Sequence, residues 1–245
     1  MSHLLPTPAP AHDVSSAAPH LYALVPCAGS GSRARTEGPK QYAPLEGQPV
    51  VAHTLAALGA VERLSAIVVV VAAGDPFLPV SDPRVRVAPC GGPSRAASVL
   101  GGLAQLRALG AAETDWVLVH DAARCLVTPA LVNALIDACL DDAVGGLLAL
   151  PLADTLKAAH EGRAVATVDR SDKWTAQTPQ MVRIGLLQAA LAARAPDFAG
   201  VTDEASALEA LGYSPRLVPG SPENIKLTYP PDFALARAIL RSRVT

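Results

Sequence analysis

The chain has 245 residues, half of them hydrophobic, with 20 Lys and Arg against 22 Asp and Glu for a formal charge of −2. That length fits one large domain or two small ones, and the apolar content fills a sizeable core, so a chain whose main theme is disorder is excluded. The charge balance does not suit a protein that coats nucleic acid, so any bound anion has to be met by a local cluster of cations.

Residues 1–20 hold four prolines and no Lys or Arg. They lack the charged start and the unbroken apolar run of a secretory signal and read as a flexible tail, leaving 21–245 as a single domain. The longest apolar runs, such as 66–73, fall well short of the roughly 20 residues that span a bilayer, so a soluble, cytoplasmic protein without membrane contact is expected. Cys27, Cys90, Cys125 and Cys139 form no C-x-x-C pair and read as buried thiols in a reducing cytosol, with neither a zinc ribbon nor a disulfide scaffold.

From residue 21 onward, short Val- and Leu-rich runs alternate with amphipathic stretches, the rhythm of an α/β fold around a mostly parallel sheet covered on both faces. In chain order the pattern predicts a strand over 21–27, a helix over 50–58, strands over 66–72 and 85–88, and a helix over 95–109. A strand over 116–120, a helix over 129–140 and a strand over 144–150 follow. Thr128 before Pro129 reads as a helix cap, and so does Thr202 before Asp203 and Glu204. Between 152 and 177 the rhythm fails, and short alternating stretches such as 164–168 suggest a β-hairpin arm projecting from the main domain. Exposed arms usually find a partner, so a homodimer is expected. Helices over 185–193, 203–211 and 232–240 follow, and no fused downstream enzyme is expected.

The first strand runs from Pro26 into Ala28-Gly29-Ser30-Gly31-Ser32-Arg33-Ala34-Arg35, and the loop continues to Pro39-Lys40. Glycines directly after a buried strand let the backbone turn sharply and aim N–H groups at a phosphate. The spacing Gly29-x-Gly31-x-x-Ala34 satisfies a dinucleotide-binding expression, but no acid lies at the ribose-binding distance; the stretch 50–58 stands there instead. Nor does the loop end in the Gly-Lys-Ser/Thr of a Walker motif. Arg33, Arg35 and Lys40 against Glu37 make it a loop suited to several phosphates at once.

Pro26-x-Ala28-Gly29-x-Gly31-x-Arg33 followed by Pro39-Lys40-Gln41-Tyr42 resembles the signature of the 2-C-methyl-D-erythritol 4-phosphate cytidylyltransferases of the non-mevalonate isoprenoid pathway. Further motifs fall in the family's order: Gly91-Gly92-x-x-Arg95-x-x-Ser98-Val99, His120-Asp121-Ala122-Ala123-Arg124, Pro151-x-x-Asp154-Thr155, Thr167-Val168-Asp169-Arg170, Gln177-Thr178-Pro179-Gln180, Thr202-Asp203-Glu204-Ala205 and Asn224-Ile225-Lys226. The resemblance implies a Rossmann-like, three-layer nucleotidyltransferase fold with a mostly parallel twisted sheet and a β-arm that dimerises. It also implies joining of a sugar-alcohol phosphate to CTP with loss of pyrophosphate.

That reaction brings two polyanions together and needs no strong general base, so positive charge and geometry carry the catalysis. No Ser/His/Asp set is evident. By resemblance, Arg33 and Lys40 stabilise the α-phosphate and the leaving pyrophosphate, while Arg170 and Lys226 position the attacking phosphate. Pro26, Ala28, Gly29, Gly31, Gly91, Gly92, Ser98, Asp121 and Ala122 would form the nucleotide side, and Asp121, Arg124, Thr155, Arg170, Thr202 and Lys226 the sugar-phosphate side. No protein-built metal site is expected; Mg²⁺ would ride mainly on the CTP phosphates, near Asp121. Pro93 and Cys125 depart from the family pattern, His120 reads as an orienting or packed residue, and Arg35, Lys157 and Lys173 as solvated charges. Rival readings are a ribitol 5-phosphate cytidylyltransferase, a nicotinamide-binding dehydrogenase and a non-catalytic nucleotide-binding module.

Overall fold

The computed structural model describes residues 18–29, 34, 38–76 and 81–243. Residues 1–17 of the expected tail 1–20 and the loop residues Gly31, Arg33 and Arg35 therefore lie outside the described residues, while His20 N–H donates to Asp115. Strands β1 (Leu21–Pro26), β4 (Leu64–Val70), β5 (Val85–Ala88), β6 (Trp116–Val119), β7 (Gly145–Pro151), β10 (Trp174–Arg183) and β11 (Arg216–Pro219) form one sheet. Its order is β11-β7-β10-β6-β1-β4-β5, and β10 runs antiparallel to both its neighbours while the other pairs are parallel.

The period-two alternation of each strand deals side chains to opposite faces. Ala23, Val25, Ile67 and Val69 pack with Val51 and Leu55 of α1 (Val50–Gly59) and Leu135 and Ile136 of α3 (Pro129–Cys139). Leu24, Val68 and Val70 face the other way, onto Val99 and Leu103 of α2 (Arg95–Ala108) and Leu187 and Leu191 of α4 (Ile184–Ala192). The result is the three-layer α/β architecture expected, and burial on both faces explains why the central strands read as continuous apolar runs. A third cluster seats Phe233 and Ala236 of α6 (Pro230–Ser242) on Leu45, Leu126 and Leu227, which docks the end of the chain beside the loop that follows β6. Leu45 belongs to the small ladder of β2 (Pro44–Leu45) and β3 (Gln48–Pro49).

The arm is a separate hairpin of β8 (Leu156–His160) and β9 (Arg163–Val168), turning at Gly162 with a left-handed φ of 76°. Its C-terminal boundary differs from the expectation of 177: β10 rejoins the main sheet at Trp174, which pairs with Pro151. The polar sequence of β10 conceals a central strand because it lies antiparallel and shifts register against β7 between Ala176 and Gln180. Thr128 caps α3 as expected, accepting from Leu131 N–H. For α5 (Glu204–Glu209) the cap is Asp203 rather than Thr202, since its carboxylate accepts from Ser206 N–H and the Ser206 hydroxyl answers the Asp203 N–H.

Candidate active site

The carboxyl ends of the parallel strands open into a cleft of about 580 Å³, where open α/β sheets place their ligands. β1 ends in Pro26 and leads into Cys27, Ala28 and Gly29; β6 leads into Asp121 and Ala122; the start of α2 presents Arg95 and its cap Ser94; and Lys226 enters from the segment before α6. Lys40 and Gln41 stand on a short 3₁₀ turn and complete the wall.

At the centre is a row of alternating charges. The Glu204 carboxylate, with 2% of its side chain exposed, accepts from Arg95 Nη1 at 2.6 Å and Nη2 at 3.0 Å. Arg95 Nε donates to Asp121 Oδ1 at 2.9 Å, and Lys226 Nζ donates to Asp121 Oδ2 at 2.7 Å. Burial by itself would raise the Asp121 carboxyl, but Arg95 and Lys226 outweigh it and hold the group well below the ordinary carboxylate range. Glu204 goes the other way: burial raises it, and Arg95 offsets this only in part. Lys40 Nζ donates to the Leu227 carbonyl at 2.7 Å, so cations 186 positions apart in the chain converge on one short segment.

Backbone ties make this geometry stiff. Gln41 Nε2 donates to Cys27 O at 2.8 Å and Gly29 O at 3.0 Å, pinning the start of the glycine loop. Asn224, fully buried, donates to Thr178 O and Gln177 Oε1, and Leu227 N–H donates to Ala123 O. Arg124 donates to the carbonyls of Asn224 and Ala176, at 2.7 and 3.1 Å, and its Nε stands 4.0 Å from Asp121 Oδ2, so it clamps two segments beside that carboxylate.

Among the expected nucleotide-side residues, Pro26, Ala28, Gly29, Gly92, Ser98, Asp121 and Ala122 line the cleft. Gly91 sits behind the wall: its N–H donates to Val71 O, and a Cβ there would stand 2.3 Å from Ala28 Cβ. Gly92 is held as closely, with Ala97 Cβ 2.6 Å from where its own would be. The Ser98 hydroxyl donates to Ser94 O and accepts from Gly92 N–H, so it braces that turn. The described cleft wall does not include Thr155, Arg170 or Thr202: the first two are exposed around the arm, and Thr202 lines a smaller neighbouring hollow beside Glu204.

Arg95, Glu204, Gln41 and Asn224 have no role in the sequence reading, although each stands inside a quoted motif. Arg95 carries a legible signal, because a cation in the first turn of a helix opposes the positive end of the dipole and needs acids to hold it. Glu204 and Asn224 carry none, since their burial depends on which distant segments meet.

The doubly covered, mostly parallel sheet and the cationic cleft at its carboxyl edge are those of an α/β nucleotidyltransferase. The sequence profile of the family described as 2-C-methyl-D-erythritol 4-phosphate cytidylyltransferase matches residues 21–242, and the chain belongs to that family. Among its relatives, the 2-C-methyl-D-erythritol 4-phosphate cytidylyltransferase of Ralstonia nicotianae is 53% identical, over 89% of this chain and 91% of that protein. The bifunctional enzyme IspD/IspF of Albidiferax ferrireducens is 57% identical over 94% of this chain, which spans 55% of that longer protein. A crystal structure of 4-diphosphocytidyl-2C-methyl-D-erythritol synthase superposes with a TM-score of 0.79 at 43% identity, covering 92% of this chain and all of the other.

Proposed function

We infer that this protein transfers a cytidylyl group from CTP to 2-C-methyl-D-erythritol 4-phosphate, releasing pyrophosphate, in the supply of isoprenoid precursors. An ionised oxygen of the sugar phosphate attacks the α-phosphorus of CTP; a new P–O bond forms as the bond to the β-phosphate oxygen breaks and pyrophosphate leaves. The nucleophile is ionised at neutral pH, so the protein's task is to hold two polyanions in line and to stabilise the charge that gathers on the α-phosphate. The single observation that carries this reading is the convergence of Lys40 and Lys226 on one cleft beside Asp121.

In this assignment Lys40, with Arg33, stabilises the pentavalent α-phosphate and the leaving group, and Lys226, with Arg170, positions the attacking phosphate. Pro26, Ala28, Gly29, Gly91 and Gly92 shape the nucleotide side, with Gly91 acting by close packing. Thr155 and Arg170 would reach the site from the arm of a second protomer in a homodimer, which is the role their exposure on a projecting hairpin leaves open to them.

Among the described residues no group of three or more His, Cys, Asp or Glu could hold a metal ion, and no helix is long and apolar enough to cross a membrane. Asp121 is the carboxylate on the cleft wall, and both its oxygens are paired with cations. That donor set fits Mg²⁺ bound chiefly by the triphosphate, where it would neutralise phosphate charge. A cytoplasmic location is proposed with this substrate pair.

The test is pyrophosphate release with CTP and each sugar phosphate in turn. Turnover of the methylerythritol phosphate is expected, with a loss of about a hundredfold or more in kcat for Lys40→Ala. Turnover of ribitol 5-phosphate alone would overturn the substrate assignment, and unchanged turnover in Lys40→Ala would overturn the assigned role of that lysine.

A further inference from the structure

Glu204 is not part of the described cleft wall, so it can act on the reaction only through a neighbour. Its one ion-pair partner among the described residues is Arg95, gripped through both terminal nitrogens. A forked pair of this kind fixes the plane of the guanidinium as well as its position. With the plane fixed, the remaining Nε–H of Arg95 points at Asp121 Oδ1, and this turns Oδ2 toward Lys226. The far end is anchored as firmly. Gln180 on β10 donates to Asp203 Oδ2 at 2.9 Å and accepts from Ala205 N–H at 2.8 Å, so the residues on both sides of Glu204 are tied to the sheet.

We propose that Glu204 is a positioning residue for the transfer: through Arg95 it orients Asp121, and through Asp121 it sets where the Lys226 ammonium meets the attacking phosphate. Without Glu204, the guanidinium loses its fixed plane, and Asp121 and Lys226 lose the geometry that plane sets. The pair would then differ from an ordinary structural ion pair, which holds α5 against α2 and has no preferred link to Lys226.

This inference rests on the cytidylyl-transfer reading, and a double-mutant cycle separates the two. Glu204→Gln keeps the shape and removes the charge; it is expected to lower kcat/KM for the sugar phosphate by about tenfold or more while KM for CTP stays within about twofold. In a Lys226→Ala background, with residual turnover followed by radiolabelled CTP, the same substitution is expected to cost less than about threefold. Glu204→Asp, which restores the carboxylate, is expected to recover part of the loss. Losses that multiply across the two sites, or a Glu204→Gln enzyme with wild-type kinetics, would overturn the proposal. Should Glu204→Gln fail to fold, Arg95→Lys takes its place in the cycle, since it keeps the cation and removes the fork. A folded wild-type enzyme inert with both sugar phosphates would sink the functional reading itself, whereas an active wild type with multiplicative losses sinks only the role of Glu204.

Discussion

His120 has no exposed surface, yet it joins three pieces of the site. Asp121 N–H donates to Thr178 Oγ1, whose hydroxyl sits 3.1 Å from His120 Nδ1, while His120 Nε2 lies 3.1 Å from the Arg124 carbonyl. A carbonyl can only accept, so the network assigns the ring proton to Nε2 and makes Nδ1 the acceptor from Thr178. Burial favours this neutral ring and holds the group down at about 4. An unfolded His120 takes up its proton near pH 6.5 and the folded one only near 4, so stability is lost as pH falls through that window, with about 3 kcal/mol at stake. His120→Gln can keep a donor for Arg124 O and removes the titration. Its melting temperature is therefore expected to fall less between pH 6.5 and 4.5 than that of the wild type, as followed by circular dichroism. A parallel decline would count against it. Glu204, with its raised carboxyl, gains stability as pH falls, so the comparison is variant against wild type rather than the absolute slope.

At the scale of elements, the informative join is between the 3₁₀ turn Lys40–Tyr42 and the end of β1. One amide nitrogen of Gln41, with two hydrogens to give, satisfies two carbonyls at the start of the loop proposed to hold phosphate. It thereby fixes the distance between that loop and Lys40, the preceding residue. Gln41→Glu would set a carboxylate against both carbonyl oxygens and against an incoming triphosphate. KM for CTP is expected to rise by at least about tenfold, about 1.4 kcal/mol, with a smaller rise for Gln41→Met. Steady-state kinetics with CTP varied is the check, and an unchanged KM in Gln41→Glu would remove Gln41 from the site.

At the scale of the molecule, three separate parts of the chain have to meet for the cleft to exist: the β1 loop with its 3₁₀ turn, the β6 end with α2, and the segment 224–227 held down by α6. The arm lies apart from them, with Val165 on β9 exposed at 62%, and Trp174 is exposed at 40% at its base, where β10 rejoins the sheet. Apolar surface of that kind on a projecting hairpin is what a partner covers, in keeping with the proposed homodimer. If each arm serves the other protomer's site, mixing inactive Lys40→Ala with inactive Arg170→Ala restores activity, because every mixed dimer has one intact site. Roughly a quarter of wild-type turnover is expected after equal mixing and exchange. No recovery, with sedimentation showing that mixed dimers had formed, would place Arg170 in its own protomer's site or outside any site.

The layered α/β class, the central parallel strands and the main helices were legible in the residues alone, because each is written locally: double burial as apolar runs, helix starts as caps. It also carried the family motifs that name the chemistry. What the residues alone did not show is that β10 threads antiparallel between β6 and β7, that Arg124 clamps two segments beside Asp121, and that Glu204 grips Arg95. Those outcomes depend on which remote segments are brought together, and the pattern of residues along one strand or helix does not encode its neighbours. A charge in the sequence is a formal unit; whether it becomes a solvated side chain, a clamp or a link in a row of ion pairs is settled by burial and by the partners that burial supplies.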